Sequence, residues 1–199
     1  MSNEIVFRLF TVLLLTAALS MSASFRHRAE KQGGQMTSAE GQGLVVVLRL
    51  LGLVVMLPLL GYLANPQWVA WARLPLPTWA RWLAAGVGLA LLPVFYWILS
   101  TIGTNISPTQ ATRQDHQLIT HGPYRCVRHP LYTAGILFVV ALAVLTALWW
   151  VGVAFALPLV ILVFRTRREE ALLIEHFGDA YRAYMKRTGR FLPRLRPAR

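Results

Sequence analysis

The sequence predicts an all-α integral membrane protein: a single membrane domain over residues 1–199 with about five transmembrane helices. The prediction rests on three features. The 199 residues are 56% apolar and only 14% charged, a pairing that small soluble domains seldom show, and the mean hydropathy is +0.50. The apolar residues come in long blocks without the every-second-residue alternation of a half-buried strand. The polar residues are too few to coat four such blocks in water.

The blocks follow one another along the chain. Ile5 to Met21 is apolar apart from Arg8 and a few small hydroxyls. The small residues of Ser20–Ser24 suit a signal-peptide cut. However, Glu4 stands in the head and Arg26, Arg28 and Lys31 follow the block, so a retained helix is expected. Gly33 to Gly43 is a small, polar linker, read as a mobile cytoplasmic loop. Leu44 to Ala64 is interrupted only by Arg49, and Leu83 to Ile102 has no charge. Between them, Asn65 to Trp82 carries Trp68, Trp71, Trp79 and Trp82 with Pro66, Pro75 and Pro77, the composition of an interfacial aromatic belt on an outer loop. Leu131 to Phe164 runs 34 residues without a charge. A span needs about 20 residues to cross about 30 Å of hydrocarbon, and this run would make a helix of about 51 Å. It is therefore expected to form a tight C-terminal helical hairpin that turns near Thr146–Gly152.

Basic residues orient the spans. Arg26, Arg28, Lys31, Arg113, Arg125, Arg128, Arg165, Arg167, Arg168 and the tail from Arg182 to Arg199 fall on one side, and Arg8, Arg73 and Arg81 on the other. The positive-inside rule puts the rich side in the cytoplasm, with the N-terminus outside and the C-terminus inside. The net charge of +12 is then explained by topology and by anionic membrane lipids. Nucleic acid is not expected as a partner, because no helix-turn-helix, zinc or stacking motif accompanies the charge. The basic loops, the small size and the tryptophan loop have a bacterial cast, which points to an inner membrane.

Polar residues gather in two stretches, both on the predicted cytoplasmic side. The first runs from Gly103 through Asn105, His116 and His121 to Arg128, His129 and Tyr132. The second runs from Arg165 through Glu169, Glu170 and His176 to Tyr184. The hairpin joins them, so its two ends should bring a cationic, histidine-bearing cluster up to a pair of carboxylates. A plainer reading of the carboxylates exists, since Glu169 lies four residues after Arg165 and a solvated helix salt bridge forms readily at that spacing. His116, His121 and His129 are zinc-ligand types, but no HExxH or paired-cysteine spacing is present and nearby arginines oppose a cation, so no metal is expected. Cys126 is the sole cysteine, which removes intrachain disulfides and cysteine-rich metal sites. There is no GxSxG elbow. Gly41-Gln-Gly43 follows a polar linker instead of a strand, so it is not a dinucleotide fingerprint. The tail from Lys186 to Arg199 reads as a membrane-surface segment.

The stretch His116-Gln-Leu-Ile-Thr-His-Gly-Pro-Tyr124 followed by Arg128-His-Pro-Leu-Tyr132 resembles the signature of the isoprenylcysteine carboxyl methyltransferase family, which is related to integral-membrane phospholipid N-methyltransferases. Glu169-Glu170 and Phe177-Gly-Asp-Ala-Tyr-Arg-Ala-Tyr184 are similar to the second half of that signature. The resemblance spans about Gly103 to Pro193 and marks 103–193 as the catalytic region. It implies a cytoplasmic pocket for S-adenosyl-L-methionine, lined by His116, Tyr124, His129, Pro130 and Tyr132 on one wall and by Glu169 and Glu170 on the other. It also implies catalytic work for Arg128, His129 and Glu170. The acceptor would be a lipophilic molecule entering from the bilayer, most simply a carboxylate, which is ionised near neutral pH and needs no strong base. A phospholipid amine is the alternative, and there a base such as His129 becomes useful. A membrane reductase using NADPH and a non-enzymatic scaffold are the remaining readings.

Overall fold

The computed structural model describes residues 3–32, 42–103 and 118–194. The Gly33–Gly43 linker lies mostly outside them, as do Asn105 and His116. Among the described residues there are six α-helices: α1 (Asn3–Gln32), α2 (Gln42–Ala64), α3 (Thr78–Ile102), α4 (Pro130–Thr146), α5 (Trp149–Phe177) and α6 (Asp179–Arg187). No strand occurs among the described residues, only two isolated bridges, Arg73 with Leu148 and Val127 with Gly189. Asn3–Ala29 of α1 and all of α3 are long and apolar enough to cross a membrane, and the Gly52–Ala64 and Pro130–Thr146 helices are shorter and apolar.

Two helices overrun the apolar blocks that announce them. α1 continues past Met21 to Gln32, and α5 past Phe164 to Phe177. Arg165–Glu170 has no Gly or Pro to stop a helix, so the charged residues ride on the extension of an apolar one. Asn65 ends the second block: its side chain accepts from the Gln67 N–H at 2.9 Å and opens a 3-10 helix over Pro66–Ala72. Trp79 and Trp82, expected in the loop, lie in the first turns of α3. The turn between α4 and α5 falls at Ala147–Leu148. Ala147 is left-handed, with φ 55° and ψ 38°, and its N–H reaches the Ala143 and Val144 carbonyls, the geometry that usually closes a helix on glycine. The Leu74 N–H donates to the Ala147 carbonyl at 2.8 Å, so the segment between α2 and α3 pins this turn.

Helix directions can be read from one cluster of charges. The Arg81 guanidinium, at the start of α3, donates to both Glu4 carboxylate oxygens at 2.9 and 3.1 Å, to the Tyr62 hydroxyl at 3.0 Å and to the Leu145 carbonyl at 2.8 Å. Arg73 adds a 2.7 Å ion pair to Glu4, and the Arg81 guanidinium covers the Phe7 ring at 4.1 Å. The start of α1, the end of α2, the start of α3 and the end of α4 therefore meet at one pole, and successive helices alternate in direction. α4 is the innermost helix, burying Ala134, Phe138, Ala141, Leu142 and Leu145 and packing chiefly against α3. α1 approaches α3 closely at Gly88, where a Cβ would stand 2.6 Å from Leu14 Cδ1.

α2 carries Pro58 in its interior. Proline has no N–H, so the Val54 carbonyl, four residues back, loses its helical partner. The Trp150 indole N–H of α5 takes that carbonyl at 3.3 Å, and α2 packs mainly on α5.

Candidate functional site

The opposite pole holds the ends that the hairpin brings together. Gly122–Arg125 forms a short 3-10 helix, Pro130 opens α4, and His129 caps it without a side-chain hydrogen bond to its backbone. Proline in the first turn gives up an N–H that has no helical partner anyway. Across from it, α5 has left its apolar stretch and presents Glu169 and Glu170.

Glu170 is 3% exposed. Arg128 Nε donates to its Oε1 at 2.8 Å, His129 Nε2 lies 3.4 Å from the same oxygen, and Arg190 Nη2 holds Oε2. Burial alone would push the Glu170 carboxyl up. The bonds from His129, Arg190 and Arg128, with the Arg128 charge, outweigh it and lower the group from 4.5 to about 2. Arg128 is nearly buried and also donates through Nη1 to the Met185 and Thr188 carbonyls. His129 is buried, and beyond the long approach to Glu170 Oε1 its Nε2 makes no hydrogen bond among the described residues. Its ring stacks on Tyr132 (5.5 Å between centroids, 8° between planes) and meets Phe191 at 5.9 Å. Tyr132 Oη donates to Glu169 Oε2 at 3.4 Å.

The chain after α6 closes over this cluster. The N–H groups of Arg128 and His129 donate to the Gly189 and Arg190 carbonyls at 2.9 and 3.1 Å, and Thr133 Oγ1 donates to the Phe191 carbonyl at 2.7 Å. Thr188–Phe191 is therefore a docked strap. Within the tail that begins at Lys186, residues 188–191 pair with the entrance to α4, whose backbone N–H groups have no helical partner, and residues 195–199 lie outside the described residues. Tyr184 Oη donates to the Tyr124 carbonyl at 2.6 Å. Burial raises the hydroxyls of Tyr124, Tyr181 and Tyr184, the last to about 12, so all three remain protonated donors at neutral pH.

Of the residues singled out from the sequence, Arg128, His129, Pro130, Tyr132, Glu169 and Glu170 come together here. Tyr124 sits behind them under Tyr184, and His116 lies outside the described residues. Glu170 is not a solvated helix charge, because its partners come from the α4 entrance and the strap. Sequence reasoning missed Arg190, Thr188, Gly189 and Phe191. The fold gives Gly189 a steric requirement that the sequence does not announce: a Cβ there would lie 1.7 Å from the Leu192 carbonyl oxygen.

An apolar bundle of alternating helices, with ionised groups collected at its poles and a histidine–carboxylate site at one of them, defines a helical protein of membrane type. The chain belongs to the phospholipid methyltransferase family, which it matches over residues 80–180. That stretch runs from the start of α3 to the start of α6 and contains Arg128, His129, Tyr132, Glu169 and Glu170, but not the rest of α6 or the strap. The protein-S-isoprenylcysteine O-methyltransferase of Dictyostelium discoideum is 26% identical over 137 residues, covering 63% of this chain and 55% of that protein. A probable protein-S-isoprenylcysteine O-methyltransferase of Oryza sativa subsp. japonica is 32% identical over 121 residues, covering 56% of this chain and 62% of the other. The cobalt-zinc-cadmium resistance protein CzcN of Cupriavidus metallidurans is 31% identical over 83 residues, covering 42% and 38%. In all three the match spans less than two thirds of the relative's length. Among the described residues no group of three or more His, Cys, Asp or Glu side chains is placed to hold a metal ion.

Proposed function

We propose that this chain is a membrane-embedded methyltransferase that uses S-adenosyl-L-methionine and acts on a lipophilic acceptor bearing a carboxylate. The observation that carries the reading is the meeting of Arg128, His129 and Tyr132 with Glu169 and Glu170 at the open end of the α4–α5 hairpin. Family membership supports it, as do the relatives named as isoprenylcysteine methyltransferases. The topology that accompanies it has five spans, α1 to α5, with the N-terminus outside a bacterial inner membrane. The site then lies on the cytoplasmic side, where the exposed Arg167, Arg168, Arg182 and Arg187 meet anionic lipid headgroups. A reporter fused after Arg199 should be active only in its cytoplasm-dependent form.

The residues present fit the cofactor. The buried His129 Nε2 has only a long 3.4 Å approach to Glu170 Oε1, Glu169 offers a half-buried carboxylate, and His129, Tyr132 and Phe191 offer ring surface. Such a set suits a ligand with hydroxyl and ammonium donors and a flat base. When bound, S-adenosylmethionine supplies a methyl carbon on a sulfonium, open to in-line attack by an oxygen nucleophile as the carbon–sulfur bond breaks. The protein's part is positioning, which supplies about 7–11 kcal/mol at best. A carboxylate held against the sulfonium would stabilise the starting state more than the transition state, so glutamate contacts belong on ribose or amino groups. Three of the donors on Arg128 nitrogens are committed within the protein, leaving Nη2 to meet the acceptor carboxylate. An amine acceptor is the second reading, favoured by the buried His129–Glu170 pair, which would take the amine's proton.

Transfer of labelled methyl groups from the cofactor into membrane lipid separates the readings. Label released as methanol by mild alkali marks a carboxyl ester, and alkali-stable label marks an N-methyl product. Saturable calorimetric binding of S-adenosylhomocysteine, absent with NADPH, is expected. NADPH binding alone would replace the proposal with a reductase.

A further inference from the structure

Resting on the methyltransferase reading, we infer that Thr188–Phe191 is a lid: it undocks from the α4 entrance while α6 stays in place, admitting the soluble cofactor and releasing its product. His129 is 7% exposed and Glu170 3%. A solute arriving from water reaches them only when part of the protein moves aside, and the strap is the part free to do so. α6 is fixed by the buried Tyr181 and Tyr184 and by the Tyr184 hydroxyl on the Tyr124 carbonyl. Its end is closed by Thr188, whose N–H and Oγ1 both donate to the Tyr184 carbonyl. There the backbone turns extended, and the apolar packing gives out. No side chain of residues 188–191 belongs to the buried apolar core. Phe191 is half-buried, and Leu192 beyond it is 73% exposed.

What holds the strap is polar. The Arg128 and His129 N–H groups donate to the Gly189 and Arg190 carbonyls, the Gly189 N–H donates to the Cys126 carbonyl at 3.4 Å, and Thr133 Oγ1 donates to the Phe191 carbonyl. Arg128 Nη1 reaches the Thr188 carbonyl and Arg190 pairs with Glu170. Each bond contributes little net, because water replaces it when the strap lifts. Opening therefore costs far less here than in α4, whose Phe138 and Leu142 are set in the core. Glu170 keeps Arg128 on Oε1 when Arg190 leaves, so the open form strands no buried carboxylate without a cation.

The Arg128 and His129 amides report on the lid directly, since both are donated to the strap and exchange with water when it undocks. Hydrogen exchange of the full chain in detergent should show them exchanging about tenfold or more faster than the α4 amides of residues 138–142. R190Q should speed them about tenfold further, the loss of one charge-assisted bond, and leave α4 unchanged. T133V, which removes the bond to the Phe191 carbonyl, should act in the same direction and serves if R190Q does not fold. Binding kinetics with S-adenosylhomocysteine test the role: R190Q should speed association and dissociation together, because both pass through the open form. A strap that only touches the ligand would give faster dissociation with unchanged association, and that result overturns the lid. So does exchange of the Arg128 and His129 amides in step with α4. Absence of binding by folded wild type overturns the methyltransferase reading itself, while independent exchange at Arg128 and His129 would still establish that the strap opens.

Discussion

Glu170 is ionised although almost wholly enclosed, because the cations around it outweigh the cost of burial. Its folded value, about 2, lies below the ordinary 4.5, so folding favours the charged form. The stabilisation is fully present above pH about 4.5 and is lost as pH falls from there toward 2; the shift corresponds to about 3 kcal/mol. Denaturant unfolding at a series of acid pH values should show wild-type stability falling through this window and a flatter profile in Glu170→Gln. Parallel profiles would assign the acid sensitivity to another group. At Gly189, alanine would drive a Cβ into the Leu192 carbonyl, so Gly189→Ala should unseat the strap. The expected result is a lower Tm and faster proteolysis after Arg187. Arg128, His129 and the glutamate pair were legible in the sequence because their charges stand out beside a charge-free run. Arg190 was not, since a lone arginine in a basic tail looks the same whether it is solvated or clamped. Only the tertiary fold supplies its partner.

Among elements, the α2–α5 contact shows how one missing donor is made good. Pro58 frees the Val54 carbonyl and the Trp150 indole N–H takes it. Trp150→Phe should therefore cost about 1 kcal/mol, the usual worth of one hydrogen bond. The same change in a Pro58→Ala background should cost less, because the substituted residue brings an N–H that can take the carbonyl within α2. Equal costs in the two backgrounds would show that Trp150 contributes packing alone. The helix blocks themselves were legible, since uninterrupted apolar runs leave few alternatives. Their ends were less so: α1 and α5 run on beyond their apolar stretches because nothing in the following residues stops a helix. The docking of the chain after α6 depends on backbone donors that no residue type announces.

At the scale of the whole molecule, charge is confined to two poles joined by apolar helices. The pole away from the site is held by Arg81, which bonds α1, α2 and α4 from its place on α3. Arg81→Met leaves the Glu4 carboxylate facing Arg73 alone and strips the Leu145 carbonyl of its side-chain donor. Removing one partner of a buried ion pair costs about 3–5 kcal/mol, and a drop in Tm of matching size is expected, with Glu4→Gln milder because Arg81 keeps Tyr62 and Leu145. Unchanged melting in Arg81→Met would show the cluster to be incidental. The sequence pointed to this pole only as the side poor in basic residues, because pairing across four helices has no local pattern.

The union of α2 with α5 also bears on how the protein comes into being. A chain is made from its N-terminus, and α2 has little contact with α1, the one long helix already present when it appears. Its carbonyl at Val54 waits for Trp150, which lies 96 residues further along the chain. For nearly half of synthesis the second helix is thus held only near its end, by Arg81 on Tyr62, and has no helix along its length. A nascent chain arrested before Trp149 should hold α1, α3 and α4 in their final company while α2 can still be crosslinked to whatever surrounds it.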